Sequence, residues 1–293
     1  MTTTSILPHL RATCLTALIA LAGASEAALT KVVVALKPDK NPEAMAGERK
    51  ELAAALGARL GLAVEVIVPM SGAVLMEGLA NGSVDLGWLA SSDVAKLPAP
   101  RPVGVLLAAR LKGETSYRSV WLTLKERTYA SPADLRGKPV AFASKTSTSG
   151  CIVPLNDLVQ KGLVTVAEGP EAFFGKGNCW YGTGYVSAVE RVLAGEAEAA
   201  AVSDYVYEGS KHLNPGQKAR LRVLASQGPV PTHVLGVRTS LAAGERDRLR
   251  AAVLALDPAL RDRVFGGELA QVDETAHLAP IAAALATVQA MKL

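Results

Sequence analysis

The chain has 293 residues, of which 49% are hydrophobic and only 4% aromatic, and it carries a net charge of +4. That length suits two lobes, each with its own core. The basic residues are dispersed, which gives nucleic-acid binding no support, and beyond the N-terminal segment no run is apolar for long enough to span a bilayer.

The pass along the chain starts with a segment outside the fold. Arg11 precedes an apolar run over 12–24, and Ser25-Glu26-Ala27 closes it with small residues at the positions a signal peptidase reads. Residues 1–27 are therefore expected to be a secretory signal, which places the product in the periplasm. The context of Cys14 lacks a lipoprotein cleavage box, so no lipid anchor is expected.

Residues 31–36 (KVVVAL) form a continuous apolar strand of the kind buried on both faces. Asn41-Pro42 opens a helical pattern over 43–60 that stops at Gly61, and 64–68 is the second strand. Ser71-Gly72 precedes a helix to about 79, Asn81-Gly82 turns into a third strand over 84–89, and Ala90-Ser91-Ser92-Asp93 starts a short helix. Strand and helix alternating at this spacing describe a right-handed parallel α/β sheet. Further strands are expected at 103–111 and 119–124, a helical turn at 131–135 and a buried strand at 139–143, from which a second α/β series begins. It continues through a loop at 146–150, a helix over 151–162, a strand within 173–180 and the glycine turn Gly182-Thr183-Gly184. A helix at 185–194, a strand at 199–202, a returning strand at 230–238 and two terminal helical stretches complete the chain. The expected architecture is α/β, with two lobes joined by two crossover segments near 118–125 and 230–238. The expected boundaries are 28–120 plus 232–293 for lobe one and 121–231 for lobe two.

Ligands of open α/β sheets bind beyond the carboxyl ends of the strands, and here those positions carry hydroxyl residues. Ser147-Thr148-Ser149-Gly150 follows a buried strand and opens a helix. Three hydroxyls beside helix-start N–H groups can donate several hydrogen bonds to one tetrahedral anion. A lone box of this kind is more often an ordinary N-cap. Ser71, and Ser91 with Ser92, occupy two further strand-to-helix junctions in the other lobe, which suits a cleft closing on a ligand.

On these residues the chain resembles the periplasmic phosphate/phosphite/phosphonate-binding proteins of ABC importers, the PhnD-like family of the type II solute-binding fold. The resemblance rests on Asn81-Gly82-Ser83-Val84-Asp85-Leu86-Gly87-Trp88-Leu89, on Asp134-Leu135-Arg136-Gly137-Lys138-Pro139-Val140-Ala141-Phe142 and on Ser147-Thr148-Ser149-Gly150 with Pro154. It extends through Ala188-Val189 and Gly195 to Ala201-Val202-Ser203-Asp204. It implies a type II periplasmic-binding fold with two hinge crossovers, capture of a phosphorus oxyanion (phosphite, phosphate or phosphonate), and delivery to an inner-membrane permease and its ATPase. It assigns the grip on the anion to Ser147, Thr148 and Ser149. Where many members have a histidine after the glycine turn, this chain has Tyr185, and where many have an aromatic near the second strand it has Ser71-Gly72. Both departures point toward a small bare oxyanion or an altered ligand.

Asp204 ends a short strand; it faces the cleft if the resemblance holds, or simply caps the segment that follows. Tyr117, beside the first crossover, either touches ligand or packs at the hinge. Lys37 stands after the first strand, where an exposed surface lysine is the commoner outcome. Cys151 and Cys179 suit one disulfide in an oxidising compartment. Soft-ligand recognition, as in relatives that sense arsenite through cysteine, and two isolated buried thiols stay open beside it. His212, His233 and His277 show no catalytic spacing, and there is no nucleophile elbow, P-loop or metal-binding box. His233 is expected to be a packed hinge histidine. The chain is thus read as a monomeric binding protein without cofactor or enzymatic activity. A sensing role toward a histidine kinase is the alternative, and a periplasmic phosphoesterase a weaker one.

Overall fold

The computed structural model describes residues 1–2, 29–37, 43–291 and 293; residues 3–27 of the expected signal, and the expected helix start at Asn41-Pro42, lie outside the described residues. The first half runs β1 (Lys31–Ala35), α1 (Ala46–Leu60), β2 (Ala63–Ile67), α2 (Gly72–Asn81), β3 (Leu86–Leu89), α3 (Ser91–Ala95) and β4 (Val103–Arg110). Then follow β5 (Ser116–Leu124), a tight helical turn (Pro132–Leu135), β6 (Val140–Phe142), a wide helical turn (Thr148–Ile152), α4 (Val153–Gln160) and α5 (Glu171–Phe174). Next come β7 (Cys179–Tyr181), α6 (Tyr185–Leu193), β8 (Ala199–Ser203), α7 (Asp204–Glu208), α8 (Pro215–Arg220) and β9 (Leu221–Pro231). The chain ends with β10 (Val234–Arg238), α9 (Ala243–Leu254), α10 (Pro258–Phe265), β11 (Glu268–Ala270) and α11 (Glu274–Gln289).

Two sheets result, ordered β11-β4-β10-β3-β1-β2 and β7-β6-β8-β5-β9. In the first, β1 runs parallel to β2 and β3, while β10 lies antiparallel between β3 and β4. In the second, β6 runs parallel to β7 and β8, while β5 lies antiparallel to β8 and β9. The two antiparallel intruders have one cause. Parallel strands point their carboxyl ends at the space between the sheets, so a chain arriving from the other sheet enters at that end and runs the opposite way.

The changes of sheet are short. The first is a turn at 111–114, where Leu111 and Glu114 exchange backbone hydrogen bonds of 2.8 and 3.0 Å and Lys112 takes a φ of +52°. The second is Thr232-His233. The chain therefore changes sheet at 111–115, ahead of the segment 118–125 expected to carry the crossover, because β5 pairs with β8 and β9 along its whole length. The single strand expected over 230–238 is two strands in different sheets. β9 escapes a pattern reading because it is an edge strand containing Gly228, Pro229 and Pro231, residues that an edge tolerates and a central strand does not.

Each sheet buries both faces. Leu52, Leu56, Leu107 and Leu235 fill one side of the first sheet, and Leu75, Leu79 and Val234 the other. Trp121, Phe142 and Phe174 pack on one side of the second sheet, and Val189, Val192 and Val202 on the other. The terminal helix α11 belongs to both. Leu278 enters the first sheet's core, while Ile281, Leu285 and Val288 enter the second's. The placement of 232–293 entirely with the first lobe does not anticipate this span, because an Ala-rich helix carries no mark of which core it meets.

One buried carboxylate ties the first sheet together. Asp85 accepts from the Val33 N–H at 2.7 Å and from Arg238 Nε at 2.8 Å, linking β1 and β10 across β3. Removing one partner of a buried ion pair strands the other. Asp85→Ala is therefore expected to cost about 3 kcal/mol in urea unfolding. A cost below about 1 kcal/mol, the range of exposed pairs, would contradict that role.

Candidate functional site

Between the carboxyl ends of the two sheets lies a cleft of about 1380 Å³. Its walls come from widely separated segments: the end of β1, the crossover turn, the start of β5, the first turns of α6 and α7, the loop before α8, and the end of α10. Among the described residues no group of three or more His, Cys, Asp or Glu is placed to hold a metal, and no helix is long and apolar enough to cross a membrane.

On the second-sheet wall, tyrosines converge. Tyr117 is the second residue of β5, immediately after the crossover. Tyr185 opens α6, delivered by the turn Gly182-Thr183-Gly184. A Cβ on Gly182 would lie 2.5 Å from Ser187 Oγ and 2.6 Å from the Trp180 ring, so only glycine lets the turn press this close. Tyr205 follows Asp204 in α7. Its ring centroid stands 5.5 Å from that of Tyr117 and 5.9 Å from that of Tyr185. Burial, then the neighbouring phenols, push the Tyr117 and Tyr205 hydroxyls well above the ordinary tyrosine range. These groups keep their protons at any working pH and remain neutral donors.

The serine-threonine box sits behind this wall rather than in it. Ser147 Oγ accepts from the Gly150 N–H at 3.1 Å, an N-cap contact. Thr148 Oγ1 donates to Ser92 Oγ at 2.9 Å, joining the box directly to α3 of the first sheet. Ser149 is fully buried and meets Tyr185 Oη at 2.8 Å, while Tyr117 donates to it at 3.4 Å. Its carbonyl accepts from Ser119 Oγ at 2.6 Å. Gly150 holds the box down: a Cβ there would be 2.4 Å from Ala143 Cβ. The three hydroxyls of the box thus take three different partners in the structure. Ser147 and Thr148 do not line the cleft, and Ser149 reaches it only through Tyr117 and Tyr185.

The first-sheet serines are engaged in the same way. Ser71 caps α2 by accepting from the Val74 N–H at 3.3 Å, is exposed, and is not among the residues lining the cleft. Ser91 donates to the Thr232 carbonyl and Ser92 is taken by Thr148, both buried. Asp204 does line the cleft. Its carboxylate accepts from the Arg118 N–H at 2.9 Å and the Tyr205 N–H at 2.7 Å, so it also locks the start of β5 to α7.

Pattern reading missed the opposite wall. Trp88, the third residue of β3, stacks on His233 at 5.8 Å and 26°, with Phe265 tilted against it at 5.2 Å. These three line the cleft with Leu36 and Met45, and Lys37 Nζ lies 3.3 Å from His233 Nε2. His233 does pack at the crossover, as expected, and also faces the cleft. Tyr205 and His212 were missed as well. A short helix and an irregular loop give no periodicity to betray them.

Cys151 and Cys179, for which a disulfide, a soft-ligand site and two isolated thiols stood open, are free thiols in the structure. Cys151 is wholly buried in the second sheet's core, and burial pushes both thiols up to about 12. At neutral pH neither supplies the thiolate that soft-ligand capture needs. Both are therefore expected to resist iodoacetamide in the native protein and to be alkylated in guanidinium, read by peptide mapping. Recovery of a linked Cys151–Cys179 peptide would contradict this.

Residues 34–279 match the family described as the periplasmic substrate-binding protein of the phosphonate ABC transporter. Solved structures share the fold. A Xanthomonas citri protein solved with ATP superposes with a TM-score of 0.74 at 20% identity, covering 89% of this chain and 98% of its own. PhnD1 of Prochlorococcus marinus, in complex with methylphosphonate, gives 0.66 at 19% identity over 89% and 99%. A binding-protein component of an ABC phosphonate transporter from Pseudomonas aeruginosa gives 0.65 at 16% identity over 89% and 87%. The antiparallel intruder strands and the cleft between carboxyl ends are thus those of a type II periplasmic-binding fold, and the chain belongs to the phosphonate periplasmic substrate-binding proteins of ABC transporters.

Proposed function

We propose that this protein captures an organophosphorus oxyanion, a phosphonate or phosphate ester with a sizeable organic group, and presents it to an ABC permease after export through the 1–27 segment. The observation that carries the reading is the pairing of two unlike walls across one cleft. The tyrosine wall supplies neutral O–H donors, and the Trp88 wall supplies an apolar, aromatic shelf. Ser149 accepts from Tyr117, and when it in turn donates to Tyr185 the Tyr185 proton is left to point into the cleft. The phosphorus oxygens end that chain of hydroxyls. Hydrogen bonds to a charged group contribute about 1.5–3 kcal/mol each, so a few such donors support micromolar binding.

The lining argues against a bare oxyanion. Phosphite would leave the apolar shelf of Trp88, Phe265, Leu36 and Met45 unused. The aromatic that the Ser71-Gly72 departure takes away is replaced from β3. The methylphosphonate and ATP named for the similar structures are both phosphorus anions carrying an organic part, of very different sizes. Asp204 keeps two roles here: it fixes the Arg118 and Tyr205 backbone, and it accepts from a protonated oxyanion. Closure about 111–115 and Thr232-His233 would bring the walls together and desolvate the anion.

Calorimetric titration tests the reading. Phenylphosphonate is expected to bind at least about 10-fold more tightly than methylphosphonate, and phosphite more weakly than either, a difference of about 1.4 kcal/mol per decade. Tyr185→Phe should weaken phenylphosphonate by about 10-fold or more through loss of one donor to a charged group. Equal affinity for phosphite and phenylphosphonate would remove the organic group from the account. No binding of any phosphorus species would overturn it.

A further inference from the structure

We propose that His212 is a specificity-determining residue of this cleft, an imidazole that is neutral in the unliganded protein and takes up a proton when an organophosphorus dianion enters beside Tyr185 and Tyr205. The inference rests on the phosphorus-anion reading above and adds to it a selection for double over single charge.

The geometry comes first. His212 lies in the loop between α7 and α8, on the cleft wall. Its ring centroid is 6.4 Å from that of Tyr185, edge to face, and 6.0 Å from that of Tyr205. The imidazole therefore stands beside both phenol rings on the lining of the cleft. No hydrogen bond from another described residue occupies either ring nitrogen.

The charged groups on the same wall are already engaged, or are cations. From α7, Glu208 pairs with Lys112 of the crossover turn, and Asp204 accepts from the Arg118 and Tyr205 N–H groups. From β5, the Arg118 side chain bonds to Ser226. Lys211 is the sequence neighbour. From α7 the Tyr205 phenol, kept protonated by burial, brings no charge. Burial, and then Lys211, hold His212 below its ordinary value of 6.5, so the ring is uncharged near neutrality. A dianion at the tyrosine wall reverses that balance, because an opposite charge within about 4–6 Å favours the protonated form.

The sign follows. The stabilisation of the complex by His212 is fully present below the histidine's value in the free protein. It is lost as pH rises through its higher value in the complex. The ligand's own second ionisation runs through the same window, so the comparison needs a variant that shares it.

Titration of phenylphosphonate in buffers of different ionisation heat counts the protons exchanged. At neutral pH the parent is expected to take up about half to one proton more than His212→Gln, and His212→Gln should weaken phenylphosphonate more than benzenesulfonate, a monoanion of similar shape. Equal proton counts in two proteins that both bind phenylphosphonate would overturn the histidine's role and leave the cleft reading standing. No binding by the parent would overturn the cleft reading, and this inference with it. If the variant fails to fold, the His212 ring resonance of the parent decides. Its titration should move to higher pH on saturation with phenylphosphonate, and an unmoved titration would overturn the proposal.

Discussion

The chain must pass twice between two sheets within a few residues, and Thr232 is where both passages are held. Its hydroxyl lies 2.6 Å from the Ala109 carbonyl and 2.9 Å from that of Thr115, on either side of the first crossover turn. Its N–H donates to the Thr115 carbonyl, and its own carbonyl accepts from Ser91. One buried residue of the return crossing thus clasps both ends of the outward one. Because the passages are this short, each enters its new sheet at the carboxyl end and runs antiparallel. Tyr117 and His233 consequently line the cleft, one just after the first crossing and one within the second.

That placement sets the electrostatics of the site. A helix-start anion box would present N–H groups and hydroxyls directly to the ligand. Here the box is sealed by its own contacts, with Ser147 capping, Thr148 bonded across to Ser92, and Ser149 turned toward the tyrosines. The cleft wall carries phenols instead, and burial keeps those of Tyr117 and Tyr205 protonated. Neutral donors on this wall suit the proposed anion, and on the opposite wall Lys37 lies 3.3 Å from His233. The opposite wall is free to be aromatic.

Much of the fold was legible because it rests on local pattern. The apolar runs KVVVAL and AAAVS read as buried parallel strands, and glycine stops such as Gly61, at φ +64°, marked helix ends. What escaped is tertiary. β9 escaped because an edge strand can hold Gly228, Pro229 and Pro231, and the span of α11 across both cores because alanine fits either. In the site, Tyr117 was picked out by its place beside a crossover, Asp204 by its strand end and Tyr185 by the family resemblance, and all three line the cleft. The serines at Ser71, Ser91 and Ser92 had the same kind of position, yet they serve caps and hinge contacts, since a strand-end hydroxyl looks alike in sequence whichever way it faces. Trp88 reads as core from its apolar strand, and only the approach of Phe265 and His233 makes it a wall.

The central claim is that an organophosphorus anion lies between the tyrosine wall and the Trp88 shelf. A crystal structure of the complex with phenylphosphonate tests it most directly. The account predicts phosphorus oxygens within hydrogen-bond distance of Tyr185 Oη and the phenyl ring against Trp88. Phosphorus bound at Ser71, or in direct contact with Ser147 and Thr148 while the tyrosines face away, would contradict it.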